Sequence, residues 1–170
     1  IILNADFAGS EEKEDGLCLA DFVAPLGAGV KDTLALFIVT AGEGIRGLSE
    51  KLKNQGHYLQ SHALSVLALE TAEAYAELLH AKIRAQWGFE DSLDMTMMER
   101  FQGKYHGKRY SCGYPACPSL DDQEIMFKLL RPESDIGVEL TEGHMMDPES
   151  SVSAMVFHHP DAHYFAVGDT

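Results

Sequence analysis

The chain has 170 residues, and 45% of them are apolar, so it can bury a hydrophobic core and we expect a single domain. Its 13 Lys and Arg against 27 Asp and Glu give a formal net charge of -14, which argues against nucleic acid and anionic membranes as partners. No stretch approaches the ~20 apolar residues of a membrane span. Three cysteines cannot all pair within the chain, and none has C-x-x-C spacing, which favours a reduced, cytoplasmic setting.

The first half of the chain predicts a strand followed by two helices. The residues up to about 15 are polar after Phe7 and predict a solvated loop or hairpin tip. A short apolar stretch over 17–25 then leads into a glycine-containing turn. Residues 33–40 combine β-branched and aromatic side chains, as is typical of a buried strand. From 44 to 87 the pattern predicts two helices, separated near 54–56.

The second of these helices is predicted to bury one apolar stripe. Apolar side chains recur there with the 3.6-residue period of a helix, and charged side chains fall on the opposite face. Gly88 is well suited to end the helix. The predicted stripe comprises Leu64, Leu67, Ala68, Thr71, Tyr75, Leu78 and Leu79, and the opposite face comprises Glu70, Glu73, Glu77 and Arg84.

The second half of the chain predicts short helices and strands in blocks. A short helix is expected over 95–101, then a glycine-spaced loop, then a helix that Ser119–Asp122 opens and Arg131-Pro132 ends near Leu130. Strands are expected over 136–140, 143–146, 151–157 and 164–167. Because no βαβ unit repeats, the predicted fold class is α+β, an antiparallel sheet with helices packed around it.

The segment from Arg109 to Pro118 (RYSCGYPACP) carries the strongest functional pattern. Its prolines fix φ and Gly113 can adopt a positive φ, so it predicts a rigid turn that holds a ligand or an interface. Arg109 could clamp a carboxylate with two parallel hydrogen bonds, or be a surface arginine in a basic run. Tyr114 could place its ring against a cation, or be a buried structural tyrosine.

Other side chains likewise have a functional and a structural interpretation. Tyr164 and Phe165 could line a ligand or form a core aromatic pair on a strand. Glu73 could face a ligand or belong to a solvated helix face. Cys112 and Cys117 have no histidine at ligand spacing, so buried thiols are favoured over nucleophiles or metal ligands.

Together these segments resemble the activation domain of cobalamin-dependent methionine synthase, the module that binds S-adenosylmethionine. Residues 109–118, here called the turn motif, match R-x-x-x-G-Y-P-A-C-P, and residues 159–167, the His-Pro motif, are similar to H-P-x-x-x-Y-[YF]-A-V. Further matches are LADFVAP at 19–25, A-E-A-x-A-E-x-L-H at 72–80, and L-T-E with S-V-S at 140–142 and 151–153. The resemblance implies that residues 1–170 are one domain, the larger part of the activation domain with its N-terminal segment missing.

The resemblance also implies roles for individual residues. Arg109 would bind the carboxylate of S-adenosylmethionine, and Ser111 would contribute mainly through its backbone. Tyr114 would lie near the sulfonium and the corrin, and Tyr164-Phe165 would line the adenosine site. Glu73 would face the ligand. No side chain is implied as an acid, base or nucleophile, so no catalytic residue and no metal ligand is assigned.

The implied function is reactivation of the B12-dependent methyltransferase that moves a methyl group from methyltetrahydrofolate to homocysteine. Inert cob(II)alamin would receive an electron from a flavodoxin-type donor and a methyl group from S-adenosylmethionine. The implied partners are that donor and the cobalamin-binding domain of the same enzyme, which holds the cobalamin. Zinc is implied only in a different domain of the parent enzyme, and this fragment alone is expected to be inactive.

Two other functions remain open at this point. One is a stand-alone, non-catalytic ligand-binding or docking module that serves a separate corrinoid protein. The other is a zinc hydrolase using His158, His159 and Glu142, which have no recognisable metal-binding motif. Partly exposed histidines at a turn are favoured over a metal site for His158, His159 and His163.

Overall fold

The computed structural model describes residues 16–25 and 27–167, so the loop predicted for the first 15 residues lies outside the described residues. A short 3₁₀ helix at Leu19–Phe22 precedes the first strand. The helices are α1 (Ile45–Asn54), α2 (Tyr58–Gln86), α3 (Met97–Phe101), α4 (Gln123–Leu130) and α5 (Pro132–Ile136). The strands are β1 (Ala35–Thr40), β2 (Lys108–Tyr110), β3 (Glu139–Leu140), β4 (Met146–Asp147) and β5 (Ser151–Phe157).

The chain divides into two compact units. The first unit contains the described parts of 1–35, 81–119 and 155–170, and the second contains 36–80 and 120–154. The turn motif and the His-Pro motif both belong to the first unit. Each unit is described by itself below.

The described strands form a three-stranded sheet in the order β1-β5-β2 and a two-stranded sheet of β3 and β4. In the first unit β2 pairs antiparallel with β5, and Arg109 lies opposite Val156. In the second unit β3 pairs antiparallel with β4, and Leu140 lies opposite Met146. Helices combined with antiparallel strands confirm the predicted α+β class.

The core of the first unit is built around Phe22. Its ring stacks on Tyr110 with centroids 6.1 Å apart, and Phe157 packs edge-on at 6.5 Å. Phe22 and Phe157 are 6% and 2% exposed, so both side chains are buried. Ala116 of the turn motif and Ala162 of the His-Pro motif join the same cluster. Segments far apart in the sequence are therefore held by one set of apolar contacts.

A close backbone approach fixes the entry to β2. Gly107 has φ +69°, and a Cβ atom at this position would overlap the carbonyl oxygen of Phe157. Only a residue without a side chain can occupy this crossing. The strand that carries Arg109 therefore begins at a sterically fixed point.

The two predicted helices of the first half are present, but the predicted buried face of α2 is only partly correct. Leu67, Tyr75 and Leu78, which the sequence placed in the buried stripe, are 64%, 51% and 50% exposed. Ala68 of the predicted stripe is buried as expected, but its buried neighbours are the small side chains of Ser61, Ala72 and Ala76, which lie outside that stripe. The centre of the buried strip is therefore rotated from the centre of the predicted stripe by about 75°, which is less than one residue around the helix. The prediction selected the most hydrophobic side chains. The buried face instead carries alanine and serine, because small side chains permit closer packing than leucine.

The end of α2 follows the prediction, although one of its charged residues does not. Gly88 has φ +86°, its N–H donates to Ala85 O, and the N–H of Phe89 donates to Arg84 O. These paired bonds are the Schellman arrangement, which requires glycine at this position. Arg84, predicted on the polar face, is 1% exposed.

Three further predictions in the second half are corrected. Part of the glycine-spaced loop forms strand β2, because Lys108–Tyr110 pairs with β5. Ile136 ends the helix α5 rather than beginning a strand, and only Glu139–Leu140 is extended and paired. Residues 164–167 belong to no strand of the described sheets, and a single backbone bond from Val167 to Pro115 takes the place of a ladder.

Candidate ligand-binding site

The turn motif is a closed backbone turn with one exposed aromatic ring. The N–H of Cys117 donates to Tyr114 O at 2.8 Å, and the N–H of Gly113 donates to Cys117 O at 2.8 Å. Gly113 has φ +86°, which favours glycine, and Pro115 restrains the second position of the turn. These bonds confirm the predicted rigid turn. Tyr114 is 63% exposed.

The turn motif and the His-Pro motif lie side by side. The N–H of Val167 donates to Pro115 O at 2.9 Å, and the hydroxyl of Tyr110 donates to His163 O at 2.7 Å. Both motifs are thereby tied to the core that surrounds Phe22. The sequence separates these segments by more than forty residues, so their contact is a product of the fold.

Tyr164 and Phe165 occupy different environments in this region. The ring of Phe165 packs against the core, with centroids 5.9 Å from Phe22 and 6.1 Å from Tyr110. The ring of Tyr164 meets Tyr110 edge-on at 5.7 Å, yet Tyr164 is 59% exposed. Phe165 therefore has the structural role foreseen for a core aromatic residue. Tyr164 presents a ring to solvent from a fixed position.

Arg109 lies at the centre of β2, where pairing with Val156 fixes its backbone. Because side chains alternate along a strand, Arg109 faces away from the side on which Tyr110 is buried. Arg109 and the following Ser111 are both half-buried. The predicted convergence of Arg109, Tyr114 and Tyr164 on one ligand stays a prediction. Glu73 is exposed on α2, in the second unit.

The basic residues beside Arg109 are largely engaged within the fold. The ammonium of Lys108 donates to the carbonyl oxygens of Tyr105 and Gly107. Burial, and then the charge of Arg84, lower the pKa of Lys108 below its usual value. The ring of His106 stacks on Phe89 with centroids 3.8 Å apart. This run is therefore not a simple solvated basic face.

The structure pairs Asp32 with His158, a contact that no sequence pattern indicates. The two side chains meet at 2.7 Å, and Trp87 lies edge-on to the imidazole at 5.1 Å. Burial acts to raise the pKa of Asp32, but hydrogen bonds from the backbone of Ala24 and Thr33 and from His158 lower it overall. The partners are too distant in the sequence for spacing to reveal them. His158 and His159 are half-buried and His163 is exposed, as predicted for histidines at a turn.

Residues 16–25 and 27–167 contain neither a clustered metal site nor a membrane-spanning helix. Within these ranges no group of three or more His, Cys, Asp and Glu is arranged to hold a metal ion. None of the helices described there is both long and apolar enough to cross a membrane. One shallow cavity lies between α1 and α2, beside Ser49 and Ser61, and another lies beside Phe37 and Ile136. The predicted ligand residues line neither of these cavities.

The fold and the paired motifs match a known class of domain. The crystal structure of the MetH reactivation domain bound to AdoHcy superposes with a TM-score of 0.84 and is 37% identical in sequence. The match covers 90% of this chain and 47% of that chain, so this chain spans about half of its length. The architecture is therefore that of a reactivation domain.

The family follows from the sequence match. Residues 5–170 match the family model for the activation domain of vitamin B12-dependent methionine synthase. The chain belongs to this family. The resemblance drawn from the two motifs is thereby confirmed at the level of family and fold.

Proposed function

We propose that this chain binds S-adenosylmethionine and supports the reductive remethylation of cob(II)alamin in a B12-dependent methionine synthase. The observation that carries the proposal is the match to a reactivation domain whose crystal structure holds AdoHcy. AdoHcy is what S-adenosylmethionine becomes when it gives up its methyl group, so one pocket can accept both. The module's part in the reaction is to orient the sulfonium methyl group toward the corrin.

The turn motif and the His-Pro motif supply groups suited to such a ligand. Arg109 would bind the carboxylate with two parallel hydrogen bonds, a geometry that lysine cannot reproduce. Tyr114 would place the electron-rich face of its ring near the sulfonium and the corrin. Tyr164 and Phe165 would border the adenosine, and Ser111 would contribute through its backbone. Glu73 is proposed as a weaker contact to the ligand.

The structure supports this proposal through fixed backbone geometry. Arg109 is anchored by strand pairing, Tyr114 by the closed turn and Tyr164 by the contact of its ring with Tyr110. Side chains carried on a fixed backbone lose little conformational entropy when a ligand binds. The cobalamin, held by the cobalamin-binding domain, would supply the methyl-accepting cobalt.

The partners and setting are proposed on the same basis. They are the cobalamin-binding domain of the same enzyme and a flavodoxin-type electron donor, in the cytoplasm. The residues of this chain orient the ligand, and none is proposed as an acid, base or nucleophile. On this proposal the isolated chain turns over no substrate.

Calorimetric titration of the chain with S-adenosylmethionine tests the binding step. Arg109→Ala is expected to weaken binding by about 10- to 100-fold, which corresponds to the loss of charge-assisted hydrogen bonds. Arg109→Lys should recover only part of the affinity, because it keeps the charge but not the bidentate geometry. Lys104→Ala, at an exposed position five residues earlier, is the matched control and should leave the affinity unchanged.

A second measurement tests the role in reactivation. With the cobalamin-binding domain, a reductant and S-adenosylmethionine present, the absorbance of cob(II)alamin should be replaced by that of methylcobalamin. Arg109→Ala should slow this change and Lys104→Ala should not. Equal affinities and equal rates in the unaltered chain, Arg109→Ala and Lys104→Ala would contradict the proposed function.

A further inference from the structure

Two buried thiols face each other in the turn motif. The Sγ atoms of Cys112 and Cys117 lie 3.7 Å apart, and the two residues are 6% and 8% exposed. Neither forms a disulfide in the structure. We propose that this pair is a reversible redox modification site, at which a small disulfide compound closes a Cys112–Cys117 bond across the turn.

The geometry of the turn favours this bond. A disulfide joins its sulfur atoms at about 2.05 Å, so the two thiols need to approach by roughly 1.7 Å. The N–H of Gly113, directly after Cys112, donates to the carbonyl of Cys117 at 2.8 Å. This bond keeps the two arms of the turn adjacent. Side-chain rotation within a fixed backbone can therefore bring the sulfurs together.

The position of the turn gives a reagent access to the thiols. Both cysteines are buried, but Gly113, Tyr114 and Pro115 between them are exposed. Each cysteine is therefore separated by no more than two positions in the sequence from a solvent-exposed residue. The third thiol, Cys18, is half-buried and lies in a separate segment, so it provides a control within the same molecule.

The exchange chemistry balances without any group from the protein other than the two thiols. The thiolate of one cysteine attacks a sulfur of the small disulfide R–S–S–R and displaces one R–S⁻. The second thiolate then attacks the protein sulfur of this mixed disulfide and displaces the other R–S⁻. Two protons leave the cysteines, and two electrons reduce the reagent to two thiols. An added dithiol reverses both steps.

The bond would change the mechanics of the turn. It would enclose Tyr114 and also Pro115, whose carbonyl accepts a hydrogen bond from Val167. Closing it therefore stiffens the link between the turn motif and the His-Pro motif. The inference goes beyond the proposed function and is tested without any ligand.

Mass spectrometry of the native chain tests the inference. The chain is treated with oxidised glutathione, free thiols are blocked with N-ethylmaleimide, and trypsin digestion follows without reductant. The peptide from Tyr110 to Lys128 contains Cys112 and Cys117 but not Cys18. It is expected to weigh two hydrogen atoms less than its reduced form and to carry no maleimide. Treatment with dithiothreitol before blocking should instead yield two maleimides on this peptide.

Single substitutions complete the test. Cys18→Ser should leave the result unchanged, whereas Cys112→Ser should leave Cys117 as a maleimide or glutathione adduct. The inference is overturned if the peptide of the unaltered chain carries two maleimides or two glutathiones after oxidation. Bonds from either cysteine to Cys18 or to a second chain would overturn it equally. Since the unaltered chain decides the outcome, the result does not depend on whether a variant folds.

Discussion

The hydroxyl of Tyr110 donates a hydrogen bond to the backbone carbonyl of His163, with 2.7 Å between the two oxygen atoms. The donor belongs to the turn motif and the acceptor to the His-Pro motif, so this bond joins the two motifs at the core. Burial, and then the neighbouring Tyr164, raise the pKa of Tyr110 above its usual value. The phenol therefore keeps its proton, and with it the hydrogen bond, well into the alkaline range.

Tyr110→Phe is expected to lower the free energy of unfolding by about 1–3 kcal/mol, because the carbonyl of His163 loses its partner. Chemical denaturation at pH 7 measures this loss. Tyr75→Phe is the matched control, since Tyr75 is 51% exposed and should tolerate the change. Equal stability of the two variants would show that the bond does not join the motifs energetically.

The same tyrosine predicts an alkaline limit to stability. Because its folded pKa is raised, its contribution is fully present below the unfolded pKa of about 10 and is lost as pH rises above that value. The unfolded phenol loses its proton from roughly pH 9.5 upward. Between about pH 9.5 and 11 the free energy of unfolding should therefore fall more steeply in the unaltered chain than in Tyr110→Phe. Parallel curves would argue against this assignment.

Asp32 predicts the opposite behaviour at acid pH. Its folded pKa lies below the usual 3.8, so the stability it contributes is present above that value and is lost as pH falls through the folded pKa. Asp32→Asn should reduce the slope of unfolding free energy against pH below about pH 4. Asp94→Asn, at an exposed position, is the control for the removal of one carboxylate. Chemical denaturation curves measured across this pH range give the slope for each variant. An unchanged slope in Asp32→Asn would contradict the role given to Asp32.

Arg84 and Arg46 offer a matched comparison of buried and exposed ion pairs. Arg84 binds both carboxylate oxygens of Asp91 at 2.8 and 2.7 Å, and these side chains are 2% and 9% exposed. Arg46 binds Asp147 in the same bidentate manner, but its side chain is 63% exposed. Arg84→Ala should cost about 3–5 kcal/mol because the buried carboxylate of Asp91 loses two hydrogen bonds and keeps, among the described residues, only Arg100, at 3.7 Å. Arg46→Ala should cost less than about 1 kcal/mol. Thermal or urea unfolding measures both, and similar losses would contradict the role given to burial.

The alanine strip of α2 can be tested with one substitution at two positions. Ala72 is 1% exposed, whereas Ala74, two residues later on the same helix, is exposed. Ala72→Leu should destabilise the chain by about 1–3 kcal/mol, since a filled interior has no room for the larger side chain. Ala74→Leu should be nearly neutral. Equal losses of stability from the two substitutions would contradict the burial of the alanine strip.

Features governed by local chemistry were the most predictable from the sequence. The break near Gly56, the end of α2 at Gly88 and the buried strand before Thr40 all depend on residues close in the chain. Glycine and proline have characteristic backbone conformations, so these boundaries can be predicted without knowledge of tertiary contacts. The orientation of α2 was misjudged because burial there depends on what the helix packs against.

The candidate site was predictable in composition but not in arrangement. The turn motif and the His-Pro motif were recognisable as strings, yet only the fold shows that Tyr110 reaches His163 and that Val167 reaches Pro115. Residues 164–167 have the composition of a strand but lack a ladder partner, because they are tied to the turn motif instead. The pairing of Asp32 with His158 joins residues far apart in the sequence, so no motif spacing could predict it.

Gly107 has a consequence for how this sequence can vary over evolutionary time. The carbonyl oxygen of Phe157 occupies the place that any side chain at 107 would fill, so mutation there is closed to every other amino acid while this crossing is kept. Invariance at such a site would reflect excluded volume rather than contact with a ligand. The nearest atoms that would exclude a side chain at 107 are all backbone atoms of Phe157 and His158.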